Sequence, residues 1–203
     1  MKKLNISALI LAAGFSERMK FPKAFLMFND KMTFLEKIVS EFKIFGCNSI
    51  FVVFNNKNVL HLNKNNLFLN EIEYGINYNP EFGRFSSLKI GFNKLIKNEY
   101  FFIHNIDNPF IEQNTLELLF NNFSNCDFCV PTFQNKGGHP ILINQNIAQQ
   151  ALEIPDDSNL KEFLNKFNRK NIETNNQDIL LNINTQDEYF SIMKEKFHEI
   201  KLS

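Results

Sequence analysis

Three cations, Arg18, Lys20 and Lys23, follow a glycine, Gly14, that closes the apolar run from Ile6 to Ala13 in the stretch "LAAGFSERMKFPKAF". A buried strand, a glycine and then cations can build an anion cradle, in which backbone N–H groups and basic side chains meet a phosphate at the strand's carboxyl end. The stretch contains neither G-x-x-x-x-G-K-[ST] nor G-x-G-x-x-G, so it is neither a P-loop nor a dinucleotide fingerprint. The residues alone also allow an ordinary strand-to-helix loop with solvated lysines.

A second candidate is Asp107 in "NIDNPF", a carboxylate at the end of the apolar run "EYFFIHNID" (Glu99 to Asp107). At the end of a central strand such a group can hold a hard cation such as Mg²⁺, which takes one or two carboxylates plus phosphate oxygens. Asp-Asn-Pro is equally a turn former. The paired glycines and His139 of "GGHPILI" suit a close backbone approach, with an imidazole at hand. Cys126 and Cys129 have C-x-x-C spacing, but no second ligand pair follows, so we read one buried cysteine and one at a strand entrance.

Positioning these groups requires alternating strands and helices. Strands are expected at Ile6 to Ala13, Ser49 to Phe54, Glu71 to Tyr78, Glu99 to Asp107, Phe128 to Phe133, His139 to Ile143 and Asp178 to Asn184. Helices are expected from Thr33, where Thr33 and Glu36 have capping-box spacing, to near Gly46; from Ser86 to Leu95, opened by two serines; and from Gln113 to Asn122. Shorter ones follow around Ile147 to Leu152 and Leu160 to Phe167, and a last one from Thr185 to about Lys196. This alternation describes a three-layer α/β domain with a mainly parallel central sheet, spanning residues 1–203 as one unit.

The long stretch resembles the signature of MobA-like nucleotidyltransferases, Leu-Ala-Ala-Gly-x-Ser-x-Arg-Met-Gly-x-x-Lys, matched at Leu11, Ala12, Ala13, Gly14, Ser16, Arg18, Met19 and Lys23. Later segments are similar in the same order. Asp107 and Pro109 match the family's metal-binding Asp-x-Pro. Gly83, Ser87 and Gly91 match a Gly-x-x-x-Ser-x-x-x-Gly block whose serine lies near the nucleotide. Gly138, His139 and Pro140 resemble the acceptor-side Gly-His-Pro of the MocA-like branch, whose acidic loop "DDSNLKEFL" resembles; "NINTQDEY" (Asn182 to Tyr189) resembles the closing segment. Lys20 and Ile106 depart from the pattern, each replacing a glycine, and Asn182 and Asn184 stand where acids are also found. A non-glycine at position 20 must avoid positive φ or carry its strain.

The resemblance implies a Rossmann-like, GT-A-like nucleotidyltransferase fold and transfer of a nucleoside monophosphate from an NTP to a phosphate or alcohol acceptor such as molybdopterin, with pyrophosphate released. It implies nucleotide binding by Leu11, Ala12, Ala13, Gly14, Ser16, Arg18, Lys23 and Ser87. Catalytic roles fall to Arg18, Lys23 and Asp107, Mg²⁺ binding to Asp107 and Asn184, and acceptor binding to Gly138 and His139. Ala13 with Gly-His-Pro leans toward CTP. A glycosyltransferase of related fold would need a second acid in an Asp-x-Asp motif, which "DNP" lacks, while a non-catalytic nucleotide-binding module could keep the loop without the metal ligands.

Lys plus Arg and Asp plus Glu both number 22, so no global basic field favours nucleic acid. No stretch reaches the roughly 20 apolar residues of a membrane span. Three cysteines and an apolar start too short for a secretory signal place the chain, as an expectation, in a reducing cytoplasm.

Overall fold

The computed structural model describes residues 5–62 and 72–202, with side chains to residue 196. Glu71, where the third strand was expected to start, lies outside the described residues. The strands are β1 (Ile6–Ala12), β2 (Ser49–Asn55), β3 (Glu73–Asn77), β4 (Tyr100–Asn105), β5 (Phe128–Phe133), β6 (Lys136–Gly137), β7 (Ile141–Asn144) and β8 (Arg169–Glu173). The helices are α1 (Phe34–Phe45), α2 (Asn56–Leu62), α3 (Arg84–Leu95), α4 (Gln113–Asn121), α5 (Gln145–Leu152), α6 (Leu160–Leu164) and α7 (Gln186–Leu202).

The strands form one sheet in the order β3-β2-β1-β4-β7-β5-β6, with β8 beside β5. β3, β2, β1 and β4 are parallel, and β7 reverses direction against both β4 and β5. The sheet is therefore mixed, with the expected parallel order at its centre. β1 is flanked by β2 on one side and β4 on the other, so the connections leave it in opposite directions, and a crevice opens at the carboxyl ends of the strands.

β1 shows why the fold has three layers. Ile6, Ala8, Ile10 and Ala12 point to one face, where they pack with Phe34, Ile38 and Phe42 of α1 and Leu116 and Leu119 of α4. Leu9 and Leu11 point to the other, against Phe85, Leu88 and Phe92 of α3 and Ile147, Ala148 and Ala151 of α5. A strand covered on both faces reads as an unbroken apolar run because neither face meets water.

α1 starts as its capping box dictates: the Glu36 amide donates to Thr33 Oγ1 at 3.3 Å, and the Thr33 amide donates to Glu36 Oε2 at 2.6 Å. It ends on Gly46, whose φ of 95° suits a glycine. Cys129 is buried and Cys126 half-buried, their Sγ atoms 3.4 Å apart and both free.

The structure corrects three expectations. Residues 178–184 are not a strand: a 3-10 turn covers Gln177–Leu180 and irregular backbone follows. Asn176 accepts from the Asp178 amide, starting the turn, and the segment's backbone then bonds separate partners: Ile179 O accepts from the His139 amide, and the Ile183 amide donates to Asp107 O. Its buried anchors, Ile179 and Ile183, are four apart, a spacing that an apolar run conceals. Next, α3 is not opened by its serines. It begins after Gly83, and Ser86 Oγ donates back to Gly83 O at 2.8 Å. Finally, β8 and α2 were unforeseen. β8 is an edge strand with only Ile172 buried, and α2 is short and rich in asparagine.

Candidate active site

The loop after β1 leaves a row of free donors. The backbone N–H groups of Gly14, Phe15, Ser16, Glu17 and Arg18 find no acceptor among the described residues, whereas Ser16 O accepts from the amides of Met19 and Lys20 at 3.0 and 2.9 Å. Ser16 and Lys20 have φ of 53° and 58°. Left-handed residues at 16 and 20 bracket the loop, and a row of backbone N–H groups without acceptors suits an anion. Lys20 thus carries the strained conformation that the family's glycine takes without penalty.

Lys23 begins the 3-10 turn Lys23–Phe25, after Pro22, and reaches back beneath this loop. Its Nζ donates to Asn184 Oδ1 at 2.7 Å and lies 3.6 Å from Asp107 Oδ2. Burial pushes the ammonium's pKa below its usual value; Asp107 pulls it back up, and Arg18 adds to the depression. A cation stripped of water acts more strongly on a nearby anion than a hydrated one.

Asp107 follows β4, whose ladder continues one residue further as the Ile106 amide donates to Leu11 O at 3.1 Å. Asp107 Oδ1 is buried and has no hydrogen-bond partner among the described residues. An orphaned carboxylate oxygen is what a divalent cation would satisfy, so Asp107 fits a metal. Asn184 Oδ1 already accepts from Lys23, which leaves it one further lone pair. Thr185 caps α7, with the Asn184 and Thr185 amides both donating to Glu188 Oε2 at 2.7 and 3.0 Å, and this holds Asn184 in place. Asn182 is exposed, and only its backbone O takes part, accepting from Asn184 Nδ2 at 3.3 Å.

A cleft of about 210 Å³ gathers Leu11, Ala13, Gly14, Ser16, Lys23 and Asp107 from this side, and Gly83, Arg84 and Ser87 from the start of α3. Two constraints bring α3 close. Gly83 has φ of 85° and ψ of −164°, accessible essentially to glycine alone. Gly91 packs against β1 so closely that a Cβ would lie 2.2 Å from Leu9 Cδ1. Buried Asn77 donates to Ser86 Oγ at 2.8 Å and to Ser87 Oγ at 2.9 Å, fixing the serine that faces the cleft.

A second cavity of about 670 Å³ adjoins the first and shares Gly83 and Arg84 with it. Gly138 and His139 line it, with Asp157 to Asn159 of the acidic loop and the cations Lys161 and Arg169. Asn105 Nδ2 lies 2.9 Å from His139 Nε2 and donates to it, which leaves the ring proton on Nδ1. Burial, reinforced by Arg84, pushes His139 down to about 4, and burial pushes His104 behind it down to about 3, so both are neutral. Gly138 has a structural reason as well: a Cβ there would lie 2.4 Å from Ile179 O.

Most of the expected residues therefore meet. Three line neither cavity, and one of them, Asn184, joins the site only through its bond with Lys23. The Ala12 side chain points to the opposite face of the sheet and packs in the core. Arg18 is exposed at the rim, where its charge still acts on Lys23 and Glu188. Sequence reasoning missed Arg84, on the wall common to both cavities, and Asn105, which orients His139. The placement of Arg84, three residues before Ser87 and at the mouth of a glycine turn, was the available signal.

The family model described as the MobA-like NTP transferase domain matches residues 8–172. The molybdenum cofactor cytidylyltransferase of Escherichia coli K12 is 26% identical, with 96% of this chain and 98% of that protein aligned. A probable molybdenum cofactor guanylyltransferase of Clostridium perfringens strain 13 is 28% identical, with 94% and 97% aligned. In fold, the chain is similar to Rv0371c of Mycobacterium tuberculosis H37Rv, with a TM-score of 0.81 at 17% identity over 96% of this chain and 100% of that one. It is also similar to molybdopterin-guanine dinucleotide biosynthesis protein A of Archaeoglobus fulgidus, with a TM-score of 0.71 at 15% identity over 95% and 99%. With a family model covering most of its length and the signature loop gathered at the carboxyl end of the sheet, the chain belongs to the family of MobA-like NTP transferase domains.

Proposed function

We propose that this protein transfers a nucleoside monophosphate, with CTP the favoured donor, to the phosphate or alcohol group of a small acceptor such as molybdopterin, and releases pyrophosphate. The observation that carries this reading is Lys23, a desolvated cation beside Asp107 under a loop of unpaired amides. The acceptor oxygen attacks the α-phosphorus in line. The loop amides, Lys23 and Arg18 neutralise the charge that grows on the β- and γ-phosphates as they leave, with Lys23 exchanging Asn184 for phosphate oxygens. Asp107 would hold Mg²⁺, which when bound supplies positive charge to the phosphates. Positioning and electrostatics dominate such transfers, and they need no covalent work from the protein.

Arg84, shared by the two cavities, suits an anionic acceptor arriving from the larger one, which His139 also lines, its Nδ1 buried and without a partner among the described residues. The preference for CTP rests on Ala13 in the cleft and on the Gly-His-Pro segment; the relatives aligned above include both a cytidylyltransferase and a probable guanylyltransferase. Thermal-shift measurements with the four NTPs and Mg²⁺ test the donor: at a hundred times its Kd a ligand stabilises by about 2.7 kcal/mol. CTP is expected to raise the melting temperature more than NAD or a sugar nucleotide does. Equal shifts from all of them would sink the assignment.

A further inference from the structure

Asn55 closes β2 and opens α2, and it uses both ends of its amide. Its Oδ1 accepts from the amides of Lys57 at 3.0 Å and Asn58 at 2.9 Å, an ordinary cap at a strand-to-helix corner. Its Nδ2 then donates to the carbonyls of Ala13 at 3.0 Å and Gly14 at 3.1 Å. In the next turn Asn58 Nδ2 donates to Ala12 O at 2.9 Å. The two side chains are almost wholly buried, with exposures of 1% and 4%. Three consecutive carbonyls of the strand-to-loop passage are thus held from one side.

The consequence follows from peptide geometry. In a planar trans peptide the C=O of one residue and the N–H of the next point in opposite directions. Holding the carbonyls of Ala12, Ala13 and Gly14 toward α2 therefore sends the N–H groups of Ala13, Gly14 and Phe15 the other way. Ala13 and Gly14 line the cleft, and neither asparagine does. A carbonyl turned into that cleft would set an acceptor lone pair against a polyphosphate. The capping bonds need only an acceptor, which aspartate would supply equally well. The donor end of Asn55 has no part in the cap and serves only the loop.

We propose that Asn55 and Asn58 are positioning residues that orient the amides of the first loop toward the polyphosphate of the bound NTP. The inference rests on the nucleotidyltransferase reading above and adds two side chains that never touch the nucleotide.

The deciding variant is Asn55→Asp, which keeps the cap and replaces the donor facing Ala13 and Gly14 with an acceptor. Calorimetric titration with inorganic tripolyphosphate, and with each NTP plus Mg²⁺, compares it with the wild type. Hydrogen bonds to charged groups are worth about 1.5–3 kcal/mol, so affinity for tripolyphosphate should fall about tenfold or more. Amide exchange at Gly14 and Phe15 should quicken. The added carboxylate charge also repels polyphosphate, so amide exchange and the uncharged Asn58→Ala variant separate the roles: a residue that merely capped α2 would leave the exchange unchanged. Asn58→Ala removes one bond while sparing the Asn55 cap, so it decides the matter if Asn55→Asp does not fold, with an expected loss of about threefold or more. Tripolyphosphate binding within twofold of wild type, in whichever of these variants is folded, overturns the proposal alone. A wild type that binds neither tripolyphosphate nor any NTP overturns the parent reading and this one with it.

Discussion

Lys20 stands with φ at 58° where the signature that the loop resembles has glycine, and a side chain in that region costs roughly 1–2 kcal/mol of steric strain. The conformation persists because the Lys20 amide bonds Ser16 O and Glu17 O at 2.9 and 3.2 Å, closing the turn that aims the loop amides. Replacing Lys20 with glycine removes the strain and adds backbone entropy to the unfolded chain, so the two effects partly cancel. Lys20→Gly is expected to stabilise the protein by about 0.5–1 kcal/mol in urea denaturation. A destabilised variant would show that the lysine side chain contributes more than its backbone costs. The same loop shows what the sequence made visible: Gly14 and Lys23 stand out as a glycine and a cation after a buried strand, while Ser16 came only with the resemblance to the MobA-like signature. Asn55 and Asn58 do not stand out. Asparagine is common at turns, and the carbonyls these two hold are more than 40 residues away in the chain.

At the scale of elements, the site depends on how closely α3 lies on β1. Gly91 has no room for a methyl group beside Leu9, so Gly91→Ala should push α3 off the sheet and carry Ser87 and Arg84 with it. Overpacking of this kind costs about 1–3 kcal/mol, and chemical denaturation should show a loss in that range together with weaker NTP binding. Unchanged stability would mean that Leu9 relaxes freely. The parallel centre of the sheet was legible in the sequence because β1, β2 and β4 are buried on both faces and appear as unbroken apolar runs. β8 was not, since an edge strand that buries only Ile172 has no alternation long enough to register. Residues 178–184 misled for the opposite reason. Their apolar residues anchor an irregular segment through Ile179 and Ile183, and apolar content alone does not distinguish an anchor from a strand.

For the molecule as a whole, two neutral imidazoles, His139 in the wall of the larger cavity and His104 behind it, link folding to pH. His104 and His139 hold pKa values of about 3 and about 4, against 6.5 ordinarily, chiefly because they are buried. The unfolded chain takes up protons on them below about pH 6.5 and the folded protein does not, so protons favour unfolding. Their contribution is complete above pH 6.5 and is lost progressively as pH falls toward 4. The melting temperature should decline across that window, before the carboxylates titrate, and His139→Gln should flatten the decline. A flat profile in the wild type would contradict the burial of these rings. Among the described residues no helix is long and apolar enough to cross a membrane. Pyrophosphate release is the direct measure of whether the carboxyl end of the sheet binds an NTP and a metal around Asp107. With Mg²⁺, each NTP in turn and molybdopterin as acceptor, the wild type should release pyrophosphate, fastest with CTP. Asp107→Asn keeps the size of the side chain and removes its charge, so the rate should fall by a factor on the order of a hundred or more while the fold survives. No pyrophosphate from the wild type with any NTP would mean that this end of the sheet does not carry out the transfer, and an Asp107→Asn variant as fast as the wild type would mean that Asp107 holds no metal for it.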